Sequence, residues 1–276
     1  MEDVLTKINE DRVGFNGLGF IYPVDASVKM TTEDIEGVKC YWFEPGGKKT
    51  NNLMFYLHGG MFVLGSIDGY RAMISHFAAA FPAKILFIEY GLAPENPFPV
   101  GINEILKVYQ AVIPRFPEAK FFVMGDSAGG ALAATLVKMA SDKKLQMPSG
   151  VVLMSPWIYL RGNTESYETR KLLDPILTKE KLVEYGNYYV GNHWDEADPG
   201  EFEYKSFPPL LILVGTNEIL HDDSKLFYGK IKSLQPEIQL KEYENQIHGW
   251  PLMDINSDAA KDALASIKLF IAKTGG

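Results

Sequence analysis

Five short runs of uninterrupted hydrophobic residues recur along the chain, at 53–57, 85–88, 121–124, 151–154 and 210–214. A strand with one wet face alternates, whereas one covered on both faces reads as continuously apolar, so these runs predict buried strands. Between them, Ile102, Ile105, Leu106, Tyr109, Val112 and Ile113 recur at helical spacing, as do Ala260, Ala263, Leu264, Ile267, Phe270 and Ile271. Strand and helix in alternation predict an α/β fold with a mostly parallel sheet flanked by helices. Segments 24–30 and 38–43 alternate more and predict an antiparallel edge, and 238–243 predicts the last strand, which makes eight in all.

Two regions break this rhythm. Residues 1–22 mix polar and apolar positions without a clear strand, and residues 157–208 are rich in Tyr, Trp, Pro and charge, with one helical pattern at 179–189. Long excursions from an alternating core are commonly lids or binding loops. Both are expected to form a small helical cap on a single domain spanning residues 1–276.

A chain of 276 residues, 46% hydrophobic, can bury a sizeable core. Its net charge of −8 and lack of any Lys/Arg cluster argue against nucleic acid as a partner. The lone cysteine, Cys40, cannot form an internal disulfide, and Met1-Glu2-Asp3-Val4 lacks the basic and apolar regions of a signal peptide, so a cytoplasmic protein is expected. No apolar run approaches the roughly 18 residues of a membrane span, so no stable membrane insertion is expected either.

Candidate chemistry centres on Gly125-Asp126-Ser127-Ala128-Gly129-Gly130, which follows the apolar run 121–124 and opens a helix-like run at 131–140. This is the pattern of a nucleophile elbow, a strand-to-helix turn so tight that small residues must flank the serine. Ser127 is the candidate nucleophile, and the Ala128 N–H starts a helix whose unpaired amides favour an oxyanion. Serine needs a base, and the base needs a carboxylate to fix its tautomer. Among five histidines, His248 follows the last strand on a loop that can reach the sheet's carboxyl edge. His76, His193 and His221 read as surface or packing residues, His221 exposed one turn into a helix. The acid should follow strand 210–214, where Glu218 lies nearest the strand end. Asp222 and Asp223 come a turn later, where they read as solvated; Asp222 remains the alternative acid. Leu57-His58-Gly59-Gly60-Met61 leaves another strand, and its glycines can turn N–H groups inward, so Gly59 and Gly60 join Ala128 as an expected oxyanion hole, with His58 bracing the loop. Met61, Phe62, Trp157, Tyr159 and Trp250 flank these motifs as candidate pocket residues. No His/Cys/carboxylate cluster has metal-ligand spacing, and neither a metal nor a cofactor is implied.

These motifs resemble those of the hormone-sensitive-lipase-like family of α/β-hydrolase carboxylesterases. His58-Gly59-Gly60 is similar to its HGGG loop, Tyr90-Gly91-Leu92-Ala93-Pro94-Glu95 with Pro97-Phe98-Pro99 to its YRLAPE-x-PFP segment, residues 125–129 to its GDSAG elbow, and His248-Gly249-Trp250 to its HGF. Three departures stand out: Met61 replaces the fourth glycine of HGGG, Gly91 replaces the arginine, and Glu218-Ile219-Leu220 stands where an Asp-Pro-Leu triplet carries the acid. The resemblance implies an α/β-hydrolase fold, an acyl-enzyme route from a small-molecule ester, and a homodimer. The small cap favours short acyl chains. An amidase or formamidase on the same fold, or a non-catalytic ligand-binding relative, are the alternatives.

Overall fold

A computed structural model describes residues 2–46 and 50–275. Eight strands form one sheet: β1 (Val28–Ile35), β2 (Val38–Pro45), β3 (Asn52–Leu57), β4 (Lys84–Ile88), β5 (Lys120–Asp126), β6 (Gly150–Met154), β7 (Leu210–Gly215) and β8 (Ile238–Tyr243). Their spatial order is β1-β2-β4-β3-β5-β6-β7-β8. The first two pairings, β1 with β2 and β2 with β4, are antiparallel, and every later one is parallel. The first strand begins at Val28 rather than residue 24, because the Asp25 carboxylate accepts hydrogen bonds from the Ser27 N–H (2.8 Å) and hydroxyl (2.6 Å) and turns the chain there.

The continuous apolar runs divide between two cores. Leu53, Phe55 and Leu57 join Phe121, Val123, Leu210 and Ile212 on one face, while Met54 and Tyr56 join Phe122, Met124, Leu211 and Leu213 on the other. Alternate side chains of a strand point to opposite faces, so only a strand apolar at every position can serve both layers. Helices Val100–Val112 and Ala128–Asp142 cover the first face, and Ile67–Ala80 with Asp258–Thr274 cover the second.

The first irregular region is mainly helical, and the second holds three helices joined by longer loops. Residues Glu2–Asn16 form a helix followed by a 3-10 turn, Gly17–Phe20, and the stretch 157–208 carries helices Ser166–Thr169, Lys179–Val190 and Trp194–Ala197. Among the described residues no helix is long and apolar enough to cross a membrane, and no group of three metal-ligating side chains gathers.

Candidate active site

Strand β5 delivers Ser127 into a backbone conformation of φ 52°, ψ −121°, and the helix Ala128–Asp142 starts at the next residue. Glycine is required on both sides: a Cβ on Gly125 would stand 2.2 Å from the Gly129 carbonyl oxygen, and one on Gly129 would stand 1.9 Å from that of Leu57. The strained turn is held by its neighbour, since the Ser127 N–H donates to Met154 O and the Ser127 carbonyl accepts from the Trp157 N–H, each at 2.9 Å.

His248 lies on the loop after β8, its Nδ1 2.9 Å from Glu218 Oε2. Glu218 is wholly buried at the exit of β7, and its other oxygen accepts from the Ser155 hydroxyl (2.7 Å) and the Gly215 N–H (2.6 Å). Burial alone would lower the His248 pKa, but the hydrogen bond and charge of Glu218, with Asp174 and Asp126 adding to them, hold it above the ordinary histidine value. With Nδ1 committed, Nε2 is the nitrogen left for proton transfer.

The other carboxylates of this loop have other partners. Asp222 Oδ2 accepts from the Ser166 N–H at 2.8 Å. Asp223, expected in solvent, is fully buried, accepting from the N–H groups of Ile158 and Tyr159 and from the Thr164 hydroxyl; burial, opposed by those bonds, pushes its carboxyl up to about 8. His221, expected exposed, is buried as the first residue of its helix, with Nε2 2.5 Å from Glu242 and Nδ1 3.3 Å from Asp222. The two corrections have separate causes: residues 158–164 donate to Asp223 and enclose it, whereas the His221 ring is held against Glu242 of β8.

The loop after β3 is braced from beneath. The buried His58 ring stacks on Tyr90 at 4.3 Å, its Nδ1 lies 2.8 Å from Gly59 O, and burial drops its pKa to about 4. Gly59 is not arranged as expected. Its N–H is engaged by Asp126 Oδ1 and by Tyr70 Oη, both at 3.0 Å, so it is directed beneath the site rather than into it. Asp126 also accepts from the hydroxyls of Tyr56 and Tyr70, each at 2.7 Å, a network that sequence reasoning missed although Asp126 belongs to the elbow motif itself. Burial raises the Asp126 carboxyl pKa in spite of those tyrosines. Gly60, with φ +102°, and Ala128, at the helix start, are the expected donors whose N–H groups have no such engagement.

A cavity of about 320 Å³ opens over Ser127, His248 and Gly60. Its walls are Gly14, Phe15 and Leu18 from the N-terminal helix and turn, Met61 and Leu64, Ile176 and Leu177, and Leu252 and Met253, with Glu10, Asp11 and Lys181 supplying charge. Of the five expected pocket residues only Met61 lines it. Phe62 is buried against Tyr189 at 3.9 Å, and Trp157 against Phe62 at 5.4 Å. Tyr159 packs its ring over Gly200. Trp250 lies against Tyr243 and borders a separate void of about 10 Å³ beside His248. Flanking a motif did not place these side chains because the core layers claim them.

Wall and acid are tied together by another buried carboxylate, Asp174, which accepts from the N–H groups of Ile176 (2.9 Å) and Leu177 (3.0 Å) with one oxygen and of Ile219 (3.0 Å) with the other. The N-terminal helix is fastened too. Arg12 forks onto Glu95 at 2.7 and 2.8 Å and donates to the carbonyls of Val63 and Ala93, which gives the Tyr90–Glu95 segment a structural task. Asp11 meets Tyr185 and Lys181, and Lys7 meets Glu184.

A family model of the alpha/beta hydrolase fold matches residues 54–252, most of the chain and every strand from β4 to β8. The chain belongs to the α/β hydrolase family. This α/β hydrolase is 31% identical over 255 residues to an esterase of Acinetobacter venetianus, covering 91% of the chain and 84% of that protein. It is 29% identical to an acetyl-hydrolase of Streptomyces hygroscopicus, covering 76% and 71% respectively. A solved esterase from the bacterial hormone-sensitive lipase family superimposes with a TM-score of 0.93 at 28% identity, covering 98% of this α/β hydrolase and 92% of that chain. Fold and motifs alike make it a hormone-sensitive-lipase-like member.

Proposed function

We propose that this esterase of the α/β-hydrolase fold hydrolyses short-chain carboxylic esters through an acyl-enzyme, with Ser127 as nucleophile, His248 as base and Glu218 as the acid that orients it. Ser127 Oγ bonds to the ester carbonyl carbon and loses its proton to His248 Nε2. As the carbon–alkoxide bond breaks, that proton passes to the departing alcohol, and water repeats the sequence on the acyl group. Glu218 holds Nδ1 as the protonated nitrogen, so Nε2 can accept. The N–H groups of Gly60 and Ala128 take the oxyanion.

The observation that carries this reading is the Nδ1 contact of His248 to a buried carboxylate, at a ring that lines the same apolar cavity as Ser127. A volume of about 320 Å³ sits at the small end of the roughly 300–1,000 Å³ range of ligand pockets, which favours short acyl groups. The test is hydrolysis of p-nitrophenyl esters from acetyl to decanoyl, beside the matching acetanilide, by the natural chain and by Ser127→Ala. Expected are a maximum at the short esters, little anilide turnover, and no hydrolysis by a folded Ser127→Ala protein. Residual full activity in that variant overturns the mechanism, and preference for the anilide makes the enzyme an amidase.

A further inference from the structure

We infer that Ser155 is a positioning residue of the catalytic machinery, and that the turn it heads at the end of β6 sets the triad acid against the nucleophile. The inference rests on the Ser127–His248–Glu218 reading. Strand β6 lies between β5, which carries Ser127, and β7, which leads to Glu218. Its exit turn bonds to both. Met154 O and the Trp157 N–H clasp the backbone of Ser127, the Ser155 N–H donates to Leu213 O of β7 at 2.7 Å, and the Ser155 hydroxyl donates to Glu218 Oε1 at 2.7 Å.

Ser155 adopts φ +45°, a left-handed conformation that costs energy for any residue with a Cβ, and it is buried. Strain of this kind persists where surrounding structure enforces it, commonly at functional sites. Here it keeps the N–H on the strand ladder while the hydroxyl faces Glu218. The elbow serine, at φ +52°, is the other strained partner of this pair, and the two turns share two backbone hydrogen bonds. Glu218 Oε1 has one donor besides the hydroxyl, the Gly215 N–H, and the void bordering Ser155 and His248 measures only about 10 Å³. That is at the lower limit of what a water needs, so solvent is a poor substitute for the missing donor.

The test is Ser155→Ala, with Ser155→Gly beside it because glycine takes positive φ without strain and keeps the fold should alanine not. Losing a charge-assisted donor should lower kcat about tenfold while KM stays within about twofold. Removing one donor leaves more charge on the oxygen facing His248, so the acid limb of kcat/KM should move up by about half a pH unit. The decisive measurement is the double variant. If Ser155 acts through the acid, Ser155→Ala in a Glu218→Gln background should cost less than about twofold further. An unchanged rate and pH limb in a folded Ser155 variant overturns the inference, and so does a full tenfold loss added on top of Glu218→Gln. Should Glu218→Gln alone keep the natural rate, the triad assignment itself fails instead.

Discussion

Replacing Glu218 with glutamine removes one charge and almost no volume, and the surrounding hydrogen bonds dictate how the site responds. Oε1 receives two donors, the Ser155 hydroxyl and the Gly215 N–H, at 2.7 and 2.6 Å, and Oε2 faces His248 Nδ1 at 2.9 Å. The amide oxygen of Gln must sit on the two-donor side, since an NH₂ there would confront the Gly215 N–H. The NH₂ then faces His248 Nδ1 and can be satisfied only if that nitrogen gives up its proton. The imidazole is left with its hydrogen on Nε2, the one tautomer that cannot take a proton from serine. A triad locked in the wrong tautomer loses about 10⁴ in kcat, equivalent to about 5.5 kcal/mol of barrier. The assay is kcat for p-nitrophenyl butyrate, with circular dichroism and Tm to establish that the variant is folded. Asp222→Asn is the control, because Asp222 bonds to the Ser166 N–H rather than to His248. A Glu218→Gln enzyme within tenfold of the natural rate, or an Asp222→Asn enzyme that loses as much, refutes the reasoning.

Three other outcomes are expected. His248 must be neutral to act as base and is held above the usual histidine value of about 6.5, so kcat/KM should fall as pH drops through a point above that value; a limb centred below about 6 contradicts the assignment. Arg12→Ala removes the fork to Glu95 and two carbonyl contacts, which should cost about 1–3 kcal/mol in urea unfolding and raise KM more than it lowers kcat, because Phe15 and Leu18 wall the cavity; an unchanged KM argues against that role. Asp223, held up to about 8 by burial, lends stability that is complete below its unfolded pKa of about 4 and lost as pH rises through the folded value. Asp223→Asn removes that dependence while keeping an acceptor for the two backbone N–H groups, so its Tm should gain on the natural protein between pH 6 and 9. Parallel curves refute this.

The sheet was legible because a strand serving two cores must be apolar at every position, as residues 53–57 and 210–214 are. The elbow was legible because its glycines answer a local steric demand within five residues. Local pattern failed where partners are distant. Among the described residues of the N-terminal helix only Ile8 is well buried, and the helix is tied down by polar partners that include charges at residues 95, 181 and 184, which no periodicity announces. His221 and Asp223 look like an ordinary solvated first turn until residues 158–164 are laid over Asp223 and Glu242 of β8 is set against His221. For Gly59 the composition was right for an inward-facing amide, but the direction of one N–H depends on Asp126 and Tyr70, and glycine permits either direction.

The clasp between Asp11 and Tyr185 joins residues 174 positions apart. At the roughly 5–20 residues per second of protein synthesis, the second half of that clasp is made about 10–35 s after the first. For that interval Phe15 and Leu18 have neither the cavity to line nor the cation and phenol that fix their helix. That part of the cavity wall is thus among the earliest segments translated and among the last to be fully fastened, since a nascent chain halted before residue 185 can hold it by the Arg12 fork to Glu95 but not by the clasp to Tyr185.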